Sequence, residues 1–134
     1  MSFKNIFLYV IASFFVLLLI LLSYSFLEIY TNVKNTCVNA QKEYKENCVN
    51  SLIKLIQSDK KTFKEKNTAI WTLGQLADQN ALPTLRSLYS GIIPSKESVD
   101  KTISQYELKK AIQWCENGNI TSWMYKNRDY LFFL

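Results

Sequence analysis

The sequence contains no histidine, and its three cysteines show no CxxC spacing. The missing histidine removes the commonest general base and the commonest metal ligand. Cys37, Cys48 and Cys115 are dispersed, so they indicate neither a dithiol redox pair nor a zinc site. No GxGxxG, P-loop, GxSxG or HExxH pattern occurs, and the acidic residues form no evident catalytic pair. Concentrated positive charge is lacking too. The net charge is +5, and only Lys4 among the basic residues precedes Glu28. A nucleic-acid footprint is normally denser than this. An ordinary solvated surface fits best, with a weak attraction to anionic headgroups second. No cofactor, metal, nucleic acid or small-molecule substrate is expected, and the chain is not expected to be an enzyme.

What is present in quantity is apolar surface, 49% of the residues. Ile6 to Leu27 runs without a charge for 22 residues, between Lys4 and Glu28. As a helix it is long enough to cross a bilayer core, which needs roughly 20 apolar residues. Tyr24 and Tyr30 near its end suit the membrane interface. A cleaved signal peptide is the alternative, but Ser23-Tyr24-Ser25 is a weak cleavage site and the run exceeds the usual length. Residues 1–30 are therefore expected to be an uncleaved signal-anchor of a single-pass membrane protein. Ser2 excludes myristoylation, and no cysteine near the run's end can take a lipid. Lys4 and the amino terminus favour an N-terminus inside. Lys34, Lys42 and Lys45 argue the other way, because the rule counts Lys and Arg. The very short N-terminal tail tips the expectation towards an extracytoplasmic domain. The Lys/Asn/Ile-rich composition points to a bacterial inner membrane.

The remainder reads as helices. One is expected from about Val38 to Ser58, with Tyr44, Cys48, Leu52, Leu55 and Ile56 at helical spacing. Its polar first half makes residues 31–47 a helical stalk open to solvent. Thr62 can cap the next helix, where Ala69, Ile70, Leu73, Leu76 and Ala77 form a stripe. Asn80 is a candidate N-cap for the following one. Ala81, Leu82, Leu85, Leu88 and Tyr89 then form the second stripe, Pro83 falls in its first turn and Gly91 suits a C′ position. Residues 92–103 form a long polar loop. Ser104 to Asn117 is a further helix, with Ser104 and Glu107 at capping-box spacing, and Gly118 ends it. Gly74, in mid-helix, costs about 1 kcal/mol against alanine, which a close helix–helix approach would explain.

Ala69, Leu73, Gly74, Leu76 and Asp78, followed by Ala81, Leu82, Pro83 and Leu85, resemble a HEAT repeat of the short phycobilin-lyase type. The resemblance implies an all-α fold in which an N-terminal transmembrane helix is followed by a small HEAT-like α-α hairpin stack. Residues 48–118 would hold roughly one and a half to two such units. Residues 119–134, rich in aromatics, would cap the stack or form an interface. Bilin lyases carry similar repeats, but they are longer and need no anchor.

Each candidate site has a plain structural alternative. Cys37 and Cys48, on one continuous helix, would lie about 16 Å apart, too far to bridge. A disulfide requires the chain to fold back between them. Cys48 and Cys115 lie on apolar stripes and read as buried, unreactive thiols. Lys109, Lys110, Arg86, Lys126 and Arg128 could share a basic face, and Asn119-Ile120-Thr121 fits a glycosylation sequon. Trp71, Trp114, Trp123, Tyr130, Phe132 and Phe133 are the candidate partner-binding residues, with core packing as the alternative. Together these features suggest a membrane-tethered protein–protein interaction module or assembly factor. A structural subunit of a membrane complex is the alternative, and a lyase-type enzyme or enzyme subunit stands behind both.

Overall fold

The structure, a computed structural model, describes residues 3–125, so Tyr130, Phe132 and Phe133 lie outside the described residues. The described residues are helical, with no strand among them. The helices are α1 (Phe3–Tyr44), α2 (Cys48–Gln57), α3 (Phe63–Leu76), α4 (Leu82–Leu88) and α5 (Gln105–Asn117). Two 3-10 turns, Gln79–Ala81 and Ser122–Met124, precede α4 and follow α5. The chain divides into two units between Asn32 and Val33.

In the first unit α1 carries the uncharged run, and every side chain from Ile6 to Ser25 is exposed. This is a candidate membrane span, by its length and composition. Its serine hydroxyls are satisfied within the helix. Ser23 Oγ donates to the Leu19 carbonyl at 2.8 Å, and Ser25 Oγ to that of Leu21 at 2.9 Å. Such back-bonding suits a medium that offers no water.

The second unit begins on α1 itself. Val33, Cys37 and Ala40 are buried, and their spacing puts them on one helical face. The segment expected to be a solvent-exposed stalk is thus part of the packed unit. The single helix expected from Val38 to Ser58 is also interrupted. Lys45 takes a left-handed backbone conformation (φ 57°). Asn47 then caps α2, its side chain accepting from the Asn50 N–H at 2.9 Å. The chain folds back, and Cys48 comes beside Cys37 in a disulfide with Cα atoms 5.0 Å apart.

Thr62 caps α3 through a full capping box. Its hydroxyl accepts from the Glu65 N–H, while the Glu65 carboxylate accepts from the Thr62 N–H at 2.9 Å. Ile70 and Leu73 are fully buried, as are Leu52, Leu85 and Leu108 from α2, α4 and α5. The cap expected at Asn80 belongs to Asp78, whose carboxylate accepts from the Asn80 N–H at 2.8 Å. Aspartate two residues earlier forms the tighter 3-10 entry, and Pro83 follows in the first turn of α4. Gly91 (φ 83°) lies in the loop beyond the end of α4 rather than at its cap.

Helices α3 and α5 run parallel, because their contacts advance together along both chains. Asn67 bonds Ser104, Gly74 meets Ala111, and the Asn119 amide beyond α5 donates to the Gly74 carbonyl at 2.9 Å. A Cβ on Gly74 would stand 2.9 Å from the Ala111 Cα and 3.0 Å from the Trp114 ring. Glycine is therefore required by the closeness of α5, at a point where α3 has no room for a side chain.

Candidate interaction face on the α3 and α5 pair

The α3–α5 pair leaves an open groove of about 260 Å³ on one side. Lys64, Asn67, Thr68 and Trp71 line it from α3, at the three- and four-residue spacing of one helical face. Val99 from the loop and Glu107 from α5 complete it. The lining is mostly apolar, with one cation and one carboxylate at its edges.

Asn67 fixes the loop wall of this groove. Its side-chain N–H groups donate to the carbonyls of Val99 at 2.8 Å and Thr102 at 2.9 Å. Its oxygen accepts from the Ser104 N–H at 2.8 Å. One buried side chain thus holds three backbone groups more than thirty residues away. Glu97 does similar work at the start of α5, accepting from the Gln105 N–H at 2.7 Å and from the Ser104 hydroxyl. The Ser104 hydroxyl in turn caps the Glu107 N–H at 3.1 Å. The box expected there is only half formed, because the Glu107 carboxylate turns to Lys110 at 2.8 Å instead. The other Glu107 oxygen is screened from solvent and accepts no hydrogen bond.

Along α5, Tyr106, Lys110 and Trp114 follow at four-residue steps. The Lys110 ammonium lies 5.0 Å from the Tyr106 ring centre and 5.2 Å from that of Trp114, within cation–π reach of both. Lys110 is therefore committed, and Arg86 pairs with Glu116. Two members of the candidate basic face, Arg86 and Lys110, are thus already paired with carboxylates. Lys126 and Arg128 lie outside the described residues.

Of the predicted aromatic residues, Trp71 and Trp114 stand on the α3–α5 pair, both half-buried. Trp71 forms the groove wall, and Trp114 packs where Gly74 admits it. Trp123 is elsewhere, 67% exposed on the turn after α5, close in sequence to Ile120 at 80%. Sequence reasoning missed Asn67 and Glu97, and gave Glu107 only a capping role. The Tyr106/Lys110/Trp114 spacing was a readable signal for the α5 ladder. Asn67 and Glu97 offered none, because their partners come from the tertiary fold.

The remaining chemistry is structural. Cys115 is buried, and its thiol points at the Leu73 carbonyl, 3.6 Å away. Burial, with lesser help from nearby Asp78 and Glu116, pushes its pKa up to about 12. It stays a thiol at neutral pH and is no nucleophile. The Asn119 amide caps α3, and the Thr121 hydroxyl donates to the Gln75 side chain. In the folded chain the sequon asparagine is thus already engaged. Comparison with protein-family models, curated proteins and solved structures returned no match.

Proposed function

We propose that this chain is a membrane-tethered interaction module or assembly factor without catalysis of its own, anchored by α1 in a bacterial inner membrane. The helical unit is read as a short HEAT-like stack. Parallel α3 and α5, separated in sequence by α4, are what successive stacked hairpins produce. The observation that carries the functional reading is the open groove walled by Trp71 and Val99, whose loop side is held in place by Asn67. A rigid aromatic wall beside a small number of polar groups is the usual form of a binding hot spot. A partner would place an apolar side chain there. The alternative, a structural subunit of a membrane complex, is favoured by the exposed Ile120 and Trp123, which lead into the aromatic tail.

Affinity capture of the full-length protein from detergent-solubilised membranes tests both. Proteins recovered with wild type should fall about ten-fold or more with Trp71→Ala, the loss expected at a hot spot. If Trp71→Ala changes nothing but Ile120→Ser with Trp123→Ser abolishes recovery, the structural-subunit reading replaces the first. If wild type repeatedly recovers nothing above background, both fail.

A further inference from the structure

We propose that the Cys37–Cys48 bond is installed by an extracytoplasmic dithiol oxidant, with the N-terminus of α1 in the cytoplasm and the helical unit on the oxidising side. This rests on reading α1 as a membrane anchor.

The fold supplies the pairing. Lys45, in the left-handed region, turns the chain, and its N–H donates to the Gln41 carbonyl at 2.9 Å. Asn47 starts α2, and the Ser51 hydroxyl donates back to the Glu46 carbonyl at 3.1 Å. These groups return Cys48 to Cys37 through ordinary backbone devices. Cys115 is held on α5 against the Leu73 carbonyl, so one of the three cysteines is left over by the fold. The pairing is specific.

Compartment follows from redox chemistry. Cytosolic reductants keep protein thiols reduced, whereas disulfides persist where the compartment is oxidising. Lys34, Lys42 and Lys45 oppose this orientation by the charge rule. That bias is counted over short loops, and long segments translocate largely regardless of charge. A domain of this length therefore leaves the covalent bond as the stronger indicator.

The bond forms by two exchanges. A thiolate of this chain attacks the oxidant's disulfide, breaking it and forming a mixed disulfide. The second thiolate then attacks this chain's own sulfur in that mixed bond. Cys37–Cys48 is formed, and the oxidant leaves as a dithiol carrying the two electrons and the two protons that the chain's thiols gave up. Cys37 is fully buried and Cys48 nearly so. Attack by a second protein needs exposed sulfur, so the exchange precedes the closing of α2 on α1.

The test counts thiols on the full-length protein made in bacterial cells. The cells are quenched in acid, the chain is denatured, and a polyethylene-glycol maleimide adds one mass step per free thiol. One step is expected without reductant and three after reduction, with the chain retained in alkaline-washed membranes. In a host lacking its periplasmic dithiol oxidase, three steps are expected without reductant. Cys37→Ser should give two steps without reductant, and none would mean that Cys48 pairs with Cys115, which overturns the assignment. Three steps in wild-type cells, with the chain still in the washed membrane, would overturn the proposal while sparing the anchor. Release of the chain by the alkaline wash would instead remove the anchor, and the proposal with it.

Discussion

Leu17 and Leu73 are the same side chain put to opposite uses. Leu17 lies on α1 with more than half of its surface exposed, and Leu73 lies on α3 with none. Around Leu17 the apolar residues form no stripe; they cover the helix on all sides, and none of the described residues buries them. Around Leu73 they form a stripe, and α5 packs closely enough to require Gly74. Polar groups divide in the same way. Ser13, Ser23 and Ser25 bond to carbonyls three or four residues back on α1. Asn67 and Asn119 reach across more than thirty residues to join separate elements. The first region has the length and composition of a helix in an apolar solvent, and the second makes its own interior. Hydrophobic content alone does not separate the two; its angular distribution does.

The comparison breaks most sharply under one substitution made in both places. Leu73→Ala removes buried methyl groups and leaves a cavity, at a cost of about 2–5 kcal/mol. Leu17→Ala leaves no cavity and keeps the run apolar. All three tryptophans lie beyond Glu28, so tryptophan fluorescence reports the second unit alone. In detergent, urea unfolding followed by that signal should shift strongly to lower urea for Leu73→Ala and stay in place for Leu17→Ala. Equal shifts would mean that the units are not independent in this sense.

The reverse substitution is expected to be somewhat smaller in effect and opposite in location. Leu17→Arg puts a charge near the middle of the run from Ile6 to Leu27, which costs about 3 kcal/mol on insertion scales. The fraction of chain resistant to alkaline extraction should fall, while the urea midpoint of the tryptophan signal stays unchanged. Full retention in the membrane would argue that α1 does not use this segment to cross.

The same contrast explains what could be read from the sequence. The stripes on α3 and α5 were legible because three- and four-residue spacing is a local signal. The close approach at Gly74 was legible for a similar reason, since a glycine in mid-helix needs an explanation. The break between α1 and α2 was not. Lys45-Glu46-Asn47 contains neither glycine nor proline, and lysine is an uncommon residue in the left-handed region. The turn is held by what it brings together, Cys48 bonded to Cys37 on the buried Val33, Cys37 and Ala40 face. That face is interspersed with polar residues, whose composition reads as a stalk. The groove was half legible: Trp71 stood out, but Asn67 and Glu97 act on backbone groups supplied by a distant loop. Tyr130, Phe132 and Phe133 lie beyond the described residues.

The smallest expected effect sharpens the comparison at the entry to α3, where stability is polar and at the surface. Thr62→Ala removes one half of the capping box and should cost about 1 kcal/mol. The other half depends on pH. The Glu65 carboxyl is held below its ordinary value of 4.5, first by the Thr62 N–H, then by the Thr62 hydroxyl, with Lys61 adding less. A depressed carboxyl binds fewer protons folded than unfolded. Its contribution is therefore present above about pH 4.5 and is lost as the pH falls through the lower, folded value. Glu65 is well exposed, so solvent screening keeps this contribution small. Urea midpoints by tryptophan fluorescence should fall with acid slightly more for wild type than for Glu65→Gln, while the uncharged run of α1 should keep the chain in the membrane throughout. Parallel curves would show that the Glu65 charge adds nothing to the fold, and that the box acts through its neutral hydrogen bonds alone.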